Sequence, residues 1–220
     1  LAHRCLEIVG ENVATEAPVR VWHDSFTKTY FVDLLLDSGA PYELKTAQTL
    51  NGEHRKQTLQ YLLLMGLHHA KLINFRPESV EYEFVSTQIT AQRRHEYATF
   101  EEHWQNLGRE SIWLKELMFR LLADWGVFLD VELFREAVVH FGGGEEKMVR
   151  RIEVRKGERV LGTQRIHILN DELAFKLSAV TRSIAGYENN LHRFLAHTNL
   201  KAIQWINFCH HDIVFKTIHK

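Results

Sequence analysis

Five side chains in the first third of the chain could do chemistry together: Asp33, Glu43, Lys45, Gln57 and Tyr61. Asp33 interrupts an apolar run, and Glu43-Leu44-Lys45 follows after a Gly39-Ala40-Pro41 turn. Side chains alternate along a strand, so Glu43 and Lys45 project from one face and Leu44 from the other. Asp33, on the preceding strand, can present its carboxylate to that same face. Two carboxylates converging within an apolar sheet repel each other and are poorly solvated. A divalent cation removes both penalties, and an oxygen-only ligand set suits Mg²⁺ or Mn²⁺. The Lys45 ammonium beside it can hold or polarise a water for attack on phosphorus and stabilise developing charge. Gln57 and Tyr61 are four residues apart and share one helix face, within joint reach of substrate or water. Taken singly, Asp33 reads as a strand-end acid and Glu43 with Lys45 as an exposed ion pair. The ordered set favours a metal-dependent phosphodiesterase site.

The elements that must position these groups follow from the hydrophobic pattern. Residues 17–22 alternate apolar with polar as a strand does, and residues 30–36 are apolar on both faces, as an internal strand is. Residues 42–46 form a third strand, and residues 53–65 a helix with Leu59, Leu62 and Leu63 on its core face and Gly66 as its stop. Residues 70–75 and 80–87 supply further strands. A helix between strands three and four points to a crossover onto a parallel neighbour. Upstream, Leu1, Cys5, Leu6 and Val9 mark a helix that Gly10 ends. Residues 88–106 are polar and weakly patterned, and a helix with Ile112, Leu117, Leu121, Leu122 and Trp125 on its stripe resumes over 111–125.

The second half echoes the first. Ile73-Asn74-Phe75 recurs as Ile206-Asn207-Phe208, Tyr61-Leu62 falls on Phe194-Leu195, and Gln57 on Asn190. Upstream, Asp33 falls on His167. Glu43-Leu44-Lys45 falls on Phe175-Lys176-Leu177, or one register over on Lys176-Leu177-Ser178. The scaffold persists where the proposed chemistry does not. The expected organisation is α/β, with one unit over residues 1–90, a linker over 91–107 and a degenerate repeat over 108–220, each unit a central mixed sheet flanked by helices.

A formal charge of −1 over 220 residues excludes a globally basic nucleic-acid binder, so phosphate contact must come from local basic patches or from metal. Cys5 and Cys209 stand at opposite ends, which fits a reducing, cytoplasmic setting. No apolar run approaches the roughly 20 residues that span a bilayer, and LAHRCLEIVG lacks a secretory signal pattern. Gly142-Gly143-Gly144 lacks the GK[ST] of a phosphate loop and reads as a turn. His68-His69 and His210-His211 lack second ligands at metal spacing. Arg93-Arg94-His95 and the run KMVRRIEVRK are basic, with solvated faces as their default.

Asp33, Glu43-Leu44-Lys45 and Gln57-x-x-x-Tyr61 together resemble the PD-(D/E)XK nuclease superfamily, in the exonuclease-like branch that carries a QxxxY motif. YELKTAQTL, His54, the YLLLMG helix and LINF look like the central block of the GxxExxY protein family. The likeness covers residues 1–87 well and 108–220 weakly. It implies two restriction-endonuclease-like units, a Mg²⁺- or Mn²⁺-dependent site acting on DNA, and metal ligation by Asp33, Glu43 and the Leu44 carbonyl, with Lys45 serving the water. The naming motif would precede Leu1. A partial version, Gly108-Arg109-Glu110-Ser111-Ile112-Trp113, stands in the second half. A non-catalytic nucleic-acid-binding or protein-interaction module with a vestigial site is the alternative, and self-association or a larger assembly stays open.

Overall fold

A computed structural model describes residues 12–220, so the helix expected to end at Gly10 lies outside the described residues. The chain divides into two compact units, Leu1–Arg93 and Arg94–Lys220. No helix among the described residues is long and apolar enough to cross a membrane.

The first unit is a five-stranded mixed sheet in the order β1-β2-β3-β4-β5, built from β1 (Val13–His23), β2 (Phe26–Leu36), β3 (Pro41–Lys45), β4 (His69–Asn74) and β5 (Glu81–Ser86). Neighbours run antiparallel except β3 and β4, which are parallel and joined by helix α1 (Gly52–Met65). The helix starts where Asn51 accepts from the backbone N–H groups of Glu53 and His54 while His54 Nδ1 accepts from Asn51 N, a reciprocal capping box. It stops at Gly66, whose φ of 67° is the left-handed conformation that glycine adopts without penalty. Tyr61, Leu62 and Leu63 turn inward from α1, and Tyr61 packs with Ala17 and Val32 of the sheet.

The second unit is a six-stranded sheet in the order β6-β11-β10-β9-β8-β7. Its strands are β6 (Ala98–His103), β7 (Val149–Lys156), β8 (Arg159–Ile168), β9 (Leu173–Ser178), β10 (Ala202–Cys209) and β11 (Asp212–His219). Its helices are α3 (Arg109–Trp125), α4 (Val131–Phe141), α5 (Glu145–Met148) and α6 (Ile184–Ala196), the last joining the parallel pair β9 and β10. The core is aromatic: Phe119 stacks on Phe215 at 5.2 Å and Phe134 meets Phe208 at 4.8 Å. On α3 the inward residues include Leu114, Leu117, Met118, Leu121, Leu122 and Trp125, whereas Ile112, expected on the stripe, is 40% exposed.

The stretch 91–107 is structured rather than a bare linker. It carries the one-turn helix α2 (Ala91–Arg94) and strand β6, which pairs in parallel with β11. Its polar composition suits an edge strand, whose outer face meets water.

From β2 to β5 the first unit maps onto β8 to β11 at a constant offset of 133 residues: Leu34↔Tyr42 answers to His167↔Phe175, Lys45↔Asn74 to Ser178↔Asn207, and Asn74↔Glu81 to Asn207↔Val214. Even the hairpin turns agree, with Asp24 and Gly157 both at positive φ. This register corrects one alignment. The residue at the place of Asp33 is Ile166, not His167, and Glu43-Leu44-Lys45 corresponds to Lys176-Leu177-Ser178.

Candidate metal and phosphodiester site

The first unit brings the five chemistry-bearing residues into one connected group. The Lys45 ammonium donates to Glu43 Oε1 at 2.6 Å and to Gln57 Oε1 at 2.9 Å. Gln57 Nε2 in turn donates to the Tyr61 hydroxyl oxygen at 2.7 Å, which leaves the phenol its own proton to donate. Tyr61 is fixed from the sheet side by the ring of Tyr30, edge-on at 6.0 Å. The Gln57–Tyr61 spacing of one helical turn is what lets α1 present both toward β3.

Asp33 joins from β2. Its Oδ2 accepts the backbone N–H of Leu44 at 2.7 Å. The β2–β3 ladder ends at Leu34↔Tyr42, so Asp33 and Glu43 stand one step beyond it, opposite each other, with the Asp33 carboxylate filling the place of a ladder acceptor. On the other side of β2 the ladder skips Glu16, opposite Asp33, and Glu16 has a φ of 49°. Asp33 therefore has no ladder partner on either side.

The electrostatics are unbalanced. Glu43 is only 3% exposed, and its Oε2 is buried without a hydrogen-bond partner. Burial pushes its carboxyl above the ordinary value; the Lys45 ammonium pulls back, and the Asp33 charge adds to the rise. Burial likewise raises the Tyr61 phenol, opposed by the Gln57 hydrogen bond and assisted by the charges of Glu43 and Asp33. The Asp33 charge is thus felt at both groups, and the Glu43 charge at Tyr61. An orphaned buried carboxylate oxygen beside a second acid is a donor set that fits a hard divalent cation.

One positioning residue escaped the sequence reading. Asn74, fully buried on β4, accepts from Ala47 N at 3.0 Å and donates to Ala47 O at 2.9 Å, clamping the chain two residues past Lys45. Asn207 does the same to Val180 in the second unit, at 2.9 Å each way. The recurrence of Asn within the repeated Ile-Asn-Phe was the signal available for it.

The remaining candidates lie elsewhere. His68 Nδ1 contacts Thr87 O, and among the described residues no group of three or more His, Cys, Asp or Glu could hold a metal ion. Gly143 and Gly144, at φ 98° and 92°, form the turn after α4. The basic run KMVRRIEVRK falls largely on β7, where Arg155 pairs with Glu153 on a solvated strand.

Residues 3–86 match the family model of the PD-(D/E)XK nuclease superfamily. No curated protein matches the chain. Among solved structures, one described as "Crystal structure of SSO0001" is similar over 38% of this chain and 45% of that one, at 17% identity and a TM-score of 0.31. The chain thus spans less than half of that protein's length, and a likeness so distant carries no further argument.

Proposed function

We propose that the first unit hydrolyses DNA phosphodiester bonds with Mg²⁺ or Mn²⁺, as a QxxxY-type PD-(D/E)XK nuclease of GxxExxY character. The observation that carries this reading is the buried, partnerless Oε2 of Glu43 beside Lys45 and Asp33. In this reading Asp33, Glu43 and the Leu44 carbonyl hold the cation. When bound, such a cation supplies Lewis acidity toward a phosphate oxygen and lowers the pKa of a water. Lys45 orients the attacking water and stabilises charge developing on phosphate. Gln57 and Tyr61 keep the ammonium from swinging away, since Gln57 bridges Lys45 and Tyr61. A cytoplasmic setting and DNA as partner belong to the same proposal.

The test is cleavage of end-labelled single- and double-stranded DNA with Mn²⁺, for the wild type, Glu43→Gln and Lys45→Ala. Loss of a positioned catalytic group lowers turnover by roughly 10²-fold or more. Product formation that is equal in all three proteins and insensitive to chelator refutes the assignment.

A second reading, a nucleic-acid-binding module with a vestigial site, is favoured by the described residues presenting no group of three or more His, Cys, Asp or Glu that could hold a metal ion. Salt-dependent DNA binding without turnover would be its signature.

A further inference from the structure

The repeat places a second pocket where the second unit's counterpart of the acidic site lies, and its charge is reversed. At the equivalent positions Asp33 becomes Ile166, Glu43 becomes Lys176, Lys45 becomes Ser178, Gln57 becomes Asn190 and Tyr61 becomes Phe194. Ser178 is withdrawn into the core, where its Oγ donates to Asn207 and accepts from Trp205 Nε1. What remains is a cavity of about 390 Å³, lined among others by Arg135, Arg165, Lys176, Tyr187, Asn190 and Phe194, with no acidic side chain in its wall.

We propose that this pocket binds a phosphate-bearing nucleotide without metal, Lys176 contacting the phosphate and Tyr187 and Phe194 flanking the base. Lys176 is the key. It sits on the buried strand β9, and its ammonium makes no hydrogen bond or ion pair with any described residue. Arg135 and Arg165 are held at the rim by Glu132 and Glu145, so they add positive field without neutralising Lys176. Burial first of all depresses His167 to about 4, and Arg135, Lys176 and Arg165 each disfavour its proton further, against the smaller opposing charge of Glu145. The imidazole is therefore neutral at physiological pH, and the three cations converge on it. Burial and the Arg135 charge also lower the Lys176 ammonium, the sign of a cation lacking its anion. A phosphate oxygen would relieve that imbalance with a charge-assisted hydrogen bond.

The rest of the wall selects among anions. Tyr187, held against Trp205 at 5.5 Å, and Phe194 offer faces for base stacking, and the Asn190 amide offers a donor and an acceptor for a base edge. The volume lies within the range of small-ligand sites. The inference is independent of the reading of the first unit, because it needs neither metal nor turnover.

Calorimetric titration of the full chain with deoxyadenosine 5′-monophosphate, in chelator so that a cation at Glu43 plays no part, tests it. Deoxyadenosine and inorganic phosphate serve as separate arms. The expected result is saturable binding of the nucleotide, weaker binding of phosphate, and loss of about tenfold or more in Lys176→Met. Lys176→Met should melt no lower than the wild type, since it removes an unpartnered, half-buried charge. Absence of saturable binding, equal affinity for the nucleoside, equal affinity for phosphate alone, unchanged affinity in Lys176→Met, or a large drop in its Tm each overturns the proposal.

Discussion

Replacing Lys45 by Met would expose how the first unit tolerates a buried acid. Glu43 Oε2 has no partner already, and Lys45 at 2.6 Å is the partner of Oε1, so the variant strands a carboxylate that is 97% hidden from water. Breaking one side of a buried ion pair costs about 3–5 kcal/mol. Lys45 is 18% exposed, which lets some water in and favours the lower end, about 3 kcal/mol. A domain of 60–100 residues loses roughly 4–8 °C of Tm per kcal/mol, so the transition of the first unit should fall by more than about 10 °C. The loss has a pH signature. The Glu43 carboxyl is raised in the folded state, so the native protein holds this proton more tightly than the unfolded chain, and ionising it costs stability. The penalty is absent below the ordinary carboxylate range, grows as pH rises toward the folded value, and is complete above it. Removing Lys45 deletes the hydrogen bond that opposes the shift, which widens the window. Thermal and urea melts of Lys45→Met and of Glu43→Gln/Lys45→Met across that range are the assay. The double variant should regain most of the loss. A cost under about 1 kcal/mol at neutral pH, or no recovery in the double variant, would refute the claim that Lys45 compensates a desolvated Glu43.

Mn²⁺ at a hundredfold its Kd should stabilise the wild-type first unit by about 2.7 kcal/mol and leave Glu43→Gln unmoved, as differential scanning calorimetry would show. Asn74→Ala and Asn207→Ala should each cost about 1–2 kcal/mol in their own unit, because each leaves the part-buried amide and carbonyl of the clamped residue without its side-chain partner; site-resolved hydrogen exchange separates the two. Gly126→Ala should cost at least about 2 kcal/mol, since φ is 69° and a Cβ would lie 2.4 Å from the Arg94 carbonyl oxygen that accepts from Val127 N. Loss of protection at the Val127 amide is the readout.

The grouping of the candidate side chains was legible in the sequence because its logic is local. Glu43 and Lys45 are two apart on one strand, Gln57 and Tyr61 four apart on one helix, and such periodicities survive any tertiary arrangement. Asp33 needed the register of β2 against β3, which the turn at Gly39 sets and which apolar composition alone does not specify. The same gap explains the misassigned counterpart: His167 attracted the alignment as a polar residue, while the pairing places apolar Ile166 there. The strand β6 was missed because an edge strand with an exposed outer face has the composition of a loop. The clamp by Asn74 was illegible in chemical terms, since a buried amide that bonds backbone leaves no spacing pattern.

The constant offset between the two units bears on how the chain folds. Two sheets that share strand order and register from β2 to β5 and from β8 to β11, synthesised in tandem, can in principle complete one another during folding, a recurrent failure of repeated domains. Backbone pairing offers no defence, because β4 and β10 would accept the same neighbours. Side-chain volume does. Leu72 and Trp205 occupy equivalent core positions and are 0% and 1% exposed. A tryptophan forced into the leucine site overpacks it by about 1–3 kcal/mol, and a leucine in the tryptophan site leaves a void of similar or greater cost. Divergence at this one pair of residues thus works as a sorting code, keeping each strand with its own sheet.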